Sequence, residues 1–122
     1  MRVPVDVPPQ AAVDALRRAL AARGITEYAV VDHGHDMARA GVPGFTAWTL
    51  VFGNPAAGAR LLAGDLAAAV DIPLRLAVIA GAQGTEIVYR DMRTLLADES
   101  SEVADALTGV LRDLTMSVRG EA

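Results

Sequence analysis

Leu50-Val51-Phe52-Gly53-Asn54-Pro55 is an apolar strand that runs straight into a helix start. Asparagine is a strong N-cap, and proline fits the first helical position, where its missing N–H costs nothing. Residues 56–62 are mostly helix-favouring, so one strand-to-helix turn is fixed here.

On the N-terminal side, Val3, Val5 and Val7 alternate with Arg2, Pro4 and Asp6, the period of a half-buried strand. Pro4 assigns that strand to a sheet edge. Pro8-Pro9 ends it and opens a helix with Val13, Leu16 and Leu20 on one face, and Gly24 stands at the expected C′ position. Residues 26–32 read as a second strand, with Ala29 and Val31 on one face and Tyr28 and Val30 on the other. Gly34, Gly41, Pro43 and Gly44 make the next segment a loop with a turn of helix at 36–40, and 46–52 is the third strand.

On the C-terminal side, the helix from Pro55 breaks at Gly64-Asp65 and resumes for a turn or two to Val70. Residues 73–80 and 85–90 are the fourth and fifth strands, joined through Gly81-Ala82-Gln83-Gly84 as a hairpin. A helical turn covers 92–96. Ser100 then caps a last helix whose Val103, Leu107, Val110, Leu111 and Leu114 form a wide apolar stripe. The order β-α-β-β-α-β-β-α predicts an α+β two-layer sandwich in one domain, 1–122: a mainly antiparallel five-stranded sheet with helices on one face.

Trp48, Leu50, Phe52, Leu74, Leu76 and Val78 are placed on the helix side. Thr49, Val51, Ala77 and Ile79 are placed opposite, with Arg75 among them. A sheet covered on one side only should show polar residues on its free side, and this one largely does not. Its second face is expected to meet another subunit or enclose a small ligand, unless loops and the long helices wrap round it.

Composition narrows the chemistry. The 122 residues contain no cysteine, which removes disulfides, thiol catalysis and thiolate zinc sites. All 11 basic residues are arginine, so lysine Schiff bases and the phosphate-loop lysine are excluded too. A net charge of −4 argues against nucleic acid as a partner. No apolar run approaches the ~20 residues that span a bilayer, and the N-terminal stretch lacks a secretory apolar block, so no membrane association and a cytoplasmic location are expected. With 21% charged residues and a mean hydropathy of +0.32, few charges remain to cover the outside. That again points to a buried contact or an apolar pocket.

Asp32-His33-Gly34-His35-Asp36 holds both histidines. If the strand continued, His33 and His35 would point the same way, but only Asp36 offers a third ligand, and no metal is expected. A solvated strand-end loop is one reading. His33 as a general base or acid oriented by Asp32 is the other. Gly53 to Gly58 has the spacing of a phosphate loop without its Lys-Ser/Thr, so no nucleotide cofactor is expected. The N–H groups at that helix start either bind an anion, with Arg60 or Arg75 assisting, or are satisfied by Asn54 itself. Asn54, Asp71, Arg75 and Tyr89 are expected to converge at one sheet end, as a ligand site or around an Asp71–Arg75 ion pair, with His33 at the opposite end.

The pattern is similar to the domain-of-unknown-function 302 family. Val31-Asp32-His33, Phe52-Gly53-Asn54-Pro55 with Gly58 and Leu61, Val70-Asp71-Ile72-Pro73-Leu74-Arg75, and Tyr89 with Asp91 carry the resemblance over nearly the whole chain. It implies a TATA-binding-protein-like α+β fold and dimers, and no established activity. Ala47-Trp48 stands where the family usually has Thr-Glu, so Trp48 points to a more apolar pocket or interface.

The expected function is that of a small homodimer binding a small, partly apolar molecule, with Asn54, Arg75, Tyr89, Trp48 and Asp71 as ligand residues. One alternative is a cofactor-independent isomerase, cyclase or lyase with His33 as base, Asp32 as its orienter and Arg75 holding an anionic substrate. The other is a structural or partner-binding subunit without ligand.

Overall fold

The computed structural model describes residues 1–96 and 101–121. Along the chain run β1 (Arg2–Pro4), α1 (Pro9–Ala22), β2 (Thr26–Asp32), α2 (His33–Arg39), β3 (Ala47–Gly53), α3 (Pro55–Gly64), a 3-10 helix (Leu66–Asp71), β4 (Leu74–Gly81), β5 (Gly84–Val88), α4 (Met92–Leu95) and α5 (Ser101–Glu121). The strands form one sheet in the order β1-β5-β4-β3-β2. Every neighbouring pair is antiparallel. This is the α+β architecture that the element order predicts.

Pro4 lies on the edge strand β1, where its lack of an N–H removes no needed rung. The ladder to β5 is prolonged on both sides of β1, by Tyr89 N–H to Met1 O at 3.0 Å and Val5 N–H to Thr85 O at 3.0 Å. The strand itself is shorter than the valine alternation predicts. Val5 is buried beyond it, and Val7 packs against the core just before Pro8-Pro9 starts α1.

One face of the sheet carries the core. Leu50, Phe52, Leu74, Leu76, Val78 and Ile87 are buried there, and the register sets Leu50 against Leu76, Phe52 against Leu74, and Val78 against Ile87. The 14 residues of α1 bury Ala12, Val13, Ala15, Leu16, Ala19 and Leu20, and α5 buries Ala104, Leu111, Leu114, Thr115 and Val118. Each such leucine stabilises the fold by roughly 1.5–3 kcal/mol relative to an exposed one. The one hydroxyl this layer takes from α5 is satisfied: Thr115 Oγ1 donates to Leu111 O at 2.8 Å.

Strand alternation sends the intervening residues to the other face. There Ala29 lies opposite Val51, Val31 opposite Thr49, Thr49 opposite Ala77, and Ile79 opposite Glu86. Most of these side chains are half-buried, while Ala29 and Arg75 are exposed. Apart from the Arg2–Glu86 ion pair at the β1 edge, 2.8 Å, and Arg75, this face is mainly small and aliphatic.

Two local departures from the sequence reading have clear causes. The strand-end loop expected after β2 is helical from His33 onward. Asp32 takes an extended conformation and its Oδ1 accepts from His35 N–H at 2.9 Å, a side-chain N-cap. Asp36 in the first turn and Arg39 in the last both complement the helix dipole. The second departure is that the resumption after Gly64-Asp65 winds as a 3-10 helix, capped by Asp65 Oδ1 accepting from Ala67 N–H at 2.9 Å. The cap expected at Ser100 lies outside the described residues.

Candidate ligand groove

A groove of about 900 Å³ opens between α3, the 3-10 helix, α5 and the end of the sheet where β3 finishes and β4 begins. Its floor is Phe52 and Leu74 from the sheet, with Ile25 just before β2. One wall is Leu61 and Leu62 of α3 with Ile72 and Pro73. The facing wall is Val103, Ala106, Leu107 and Val110 of α5.

The width of the α5 stripe explains that wall. A helix buried on one face needs an apolar stripe of a little over 100°. Leu111, Leu114 and Val118 fill it and are fully buried. Val103, Leu107 and Val110 lie beside them, half-buried, packing against the edge of the core and lining the groove.

Tyr28 enters at the rim. The register between β2 and β3 slips between Glu27 and Ala29, a bulge that leaves Tyr28 without a ladder partner. The Tyr28 ring lies over the strand end, where a Cβ on Gly53 would meet it at 3.5 Å, an ordinary van der Waals contact. Tyr28 stays 51% exposed.

Polar groups on the groove are few. Asn54 is an N-cap: its Oδ1 accepts from Ala56 N–H at 3.0 Å and Ala57 N–H at 3.4 Å. Gly58 N–H goes to Asn54 O at 2.9 Å. The first N–H groups of α3 are therefore occupied by the protein. Among the described residues the groove lining contains no histidine or carboxylate, and Arg60 is its one charged side chain.

The other residues singled out from sequence lie elsewhere. Asp71 and Arg75 share a much smaller cleft with Arg90, Met92 and Leu95, and no ion pair joins them among the described residues. Tyr89 is buried in the core. Asn54 lines the groove at the expected sheet end, whereas Asp71 and Arg75 line the adjoining cleft, the two sharing Pro73 and Leu74. Trp48 packs half-buried against the core at the far end of β3, opposite Asp32 and Val78, away from the groove.

His33 sits at that far end too. Its Nε2 is 2.7 Å from Thr49 Oγ1, a hydrogen bond that ties the start of α2 to β3 on the face opposite α1 and α5. The orienting carboxylate expected from Asp32 is committed to His35 N–H instead. Helical geometry also separates His33 from His35 by two steps of about 100°, so they do not share a face as they would on a strand. No group of three or more metal-ligating side chains occurs among the described residues.

Shifted ionisation is found outside the groove. Arg93 holds the Asp91 carboxyl down to about 2, chiefly through its guanidinium hydrogen bonds and also through its backbone N–H, which the same carboxylate caps. Glu27 raises Arg17 by a side-chain hydrogen bond and by charge.

Comparison with known families places the chain. The model of the family described as "Domain of unknown function DUF302" matches residues 1–116. This chain belongs to the DUF302 family. The DUF302 fold seen here is similar to the crystal structure of an uncharacterized conserved DUF302 protein from Bacillus stearothermophilus, with a TM-score of 0.81 over 97% of this chain and 94% of that one. The two are 17% identical, so the likeness between these DUF302 chains is one of fold. No curated protein matches the sequence. No helix among the described residues is long and apolar enough to cross a membrane.

Proposed function

We propose that this DUF302 chain binds a small, largely apolar molecule in the groove between α3, the 3-10 helix and α5, and that it does so as a homodimer paired through the sheet face opposite α1 and α5. The observation that carries the first part is the groove itself. Its volume of about 900 Å³ lies in the upper part of the range for small-molecule sites, and its lining is aliphatic and aromatic with few polar groups, as such sites usually are. The lining includes Val103, Leu107 and Val110, which pack against the edge of the core and remain half-buried.

Binding is preferred over acid–base catalysis for this groove because neither a histidine nor a carboxylate lines it among the described residues. The alternative centred on His33 has a weaker basis. The ring nitrogen nearest the sheet already meets Thr49, and Asp32 serves the helix.

Native mass spectrometry of gently purified protein tests both parts. The expected spectrum is a dimer carrying a retained small mass. Leu107→Trp, which fills the groove, is expected to lose that mass while keeping the circular dichroism of the parent. A retained mass that survives the tryptophan would place the ligand elsewhere and end the groove reading.

A further inference from the structure

We infer that the groove takes a monoanionic amphiphile, an apolar body ending in one carboxylate-like headgroup, with Arg60 of α3 selecting the charge. This rests on the reading of the groove as a binding site and adds the class of molecule it holds. Three observations carry it. Arg60 is the one charged side chain lining the groove among the described residues. Its guanidinium makes no ion pair or hydrogen bond with any described residue, whereas Arg2, Arg17 and Arg93 are each paired to a carboxylate at 2.8 Å. The backbone donors at the start of α3 are taken by Asn54, so the helix terminus does not compete for an anion.

A guanidinium is always ionised and presents a fork of N–H donors that matches a carboxylate in two parallel hydrogen bonds. Set at the side of an apolar trough, it favours a ligand whose body is buried and whose single negative end reaches the rim. An amine of the same body is repelled, and an alcohol gains no charge interaction. Because Arg60 is exposed, the discrimination is moderate and falls with salt.

Isothermal titration of the full chain with decanoate, decan-1-ol and decylammonium at low ionic strength reads this directly. Decanoate is expected to bind about three- to fivefold more tightly than decan-1-ol, with decylammonium weakest. Arg60→Gln should bring decanoate and decan-1-ol together without weakening the alcohol, and Arg60→Glu should invert the order of the two ions. Ala106→Trp and Ala69→Trp, both at exposed positions on opposite walls, should weaken all three probes.

Equal binding of the three probes to the parent chain, or an anion preference that survives Arg60→Gln, overturns the inference and leaves the groove as a site for neutral molecules. Unchanged binding in both tryptophan variants overturns the groove reading as well. Failure to bind any free probe, with sedimentation on phosphatidylglycerol vesicles instead, would make the partner a membrane surface and refute the proposal. A change of subunit number in the tryptophan variants would assign the groove to a second copy of the chain and refute it too.

Discussion

Gly34 shows how one residue fixes the histidine segment. A Cβ at this position would run into the backbone carbonyl oxygen of Phe45, which crosses above the first turn of α2. Backbone cannot yield as a flexible side chain can. Gly34→Ala is therefore expected to displace the 40–46 loop and break the His33–Thr49 hydrogen bond, read as altered amide shifts at Thr49 and a lowered melting temperature. Retention of both parent values would remove the close approach as a constraint. In the sequence Gly34 stood for a loop. Its actual role, a missing side chain under a crossing strand of backbone, is a tertiary fact with no local signal.

Asn54 at the same scale was fully legible. Its type, the proline after it and the apolar strand before it all agreed, and the side chain caps α3 as that agreement requires. Asn54→Ala is expected to cost about 1 kcal/mol in urea denaturation, and Asn54→Asp to keep most of that stability. Asp32 was legible as a residue that matters and misread in its partner. An aspartate before a histidine reads equally as an orienter or as a cap, and only whether the backbone after it turns helical or stays extended decides.

At the scale of elements, α4 depends on a single acid. Asp91 Oδ1 accepts from Arg93 N–H at 3.0 Å, and the Arg93 guanidinium closes on the same carboxylate at 2.8 Å. The Met92 N–H is taken by Thr108 Oγ1 of α5 at 2.9 Å, which docks the turn. Because the folded-state value of Asp91 is depressed to about 2, its contribution is present above the ordinary carboxylate range and is lost as pH falls from about 4 through 2. An Asp91→Asn variant should thus lose stability less steeply than the parent over that window in thermal melts. Parallel curves for the two proteins would show that the pair contributes nothing. Being solvent-exposed, the effect should also shrink in high salt.

The elements themselves were mostly readable because periodicity and punctuation coincide. β2, α1 and α4 follow their patterns, and Gly24 with φ +65 ends α1 as its position predicts. Where reading failed, a short-range signal was missing. The slip that exposes Tyr28 depends on pairing with β3, and strict alternation along β2 places Tyr28 with Val30 without revealing it. The groove wall on α5 is visible in the sequence as part of a wide apolar stripe, but the stripe does not say which of its residues border a groove as well as the core.

For the whole molecule, the decisive property is a sheet that is apolar on both sides while α1 and α5 cover one. Proposed dimer formation through the second side has a direct check. Ile79→Asp, at a half-buried position opposite Glu86, places a second negative charge on that face. It is expected to shift sedimentation from dimer to monomer with little change in secondary structure. A dimer of undiminished strength would locate the contact on another surface. Of the candidate ligand residues only Asn54 lines the groove, because the groove is enclosed by helices whose placement across the sheet the strand order does not specify.

The segment running through α3 and the 3-10 helix has few anchors. Leu61 and Ala68 are its buried residues, against the six of α1, and Leu66 and Val70 project outward at 78% and 80% exposure. A wall so lightly pinned can swing outward without loosening the layer of α1 and α5, because few apolar contacts must be broken. Amide hydrogens of residues 58–64 are expected to exchange with deuterium well before those of residues 13–20, and to slow when decanoate is bound. Equal protection in the two helices would mean a rigid trough that guests must enter from its open top.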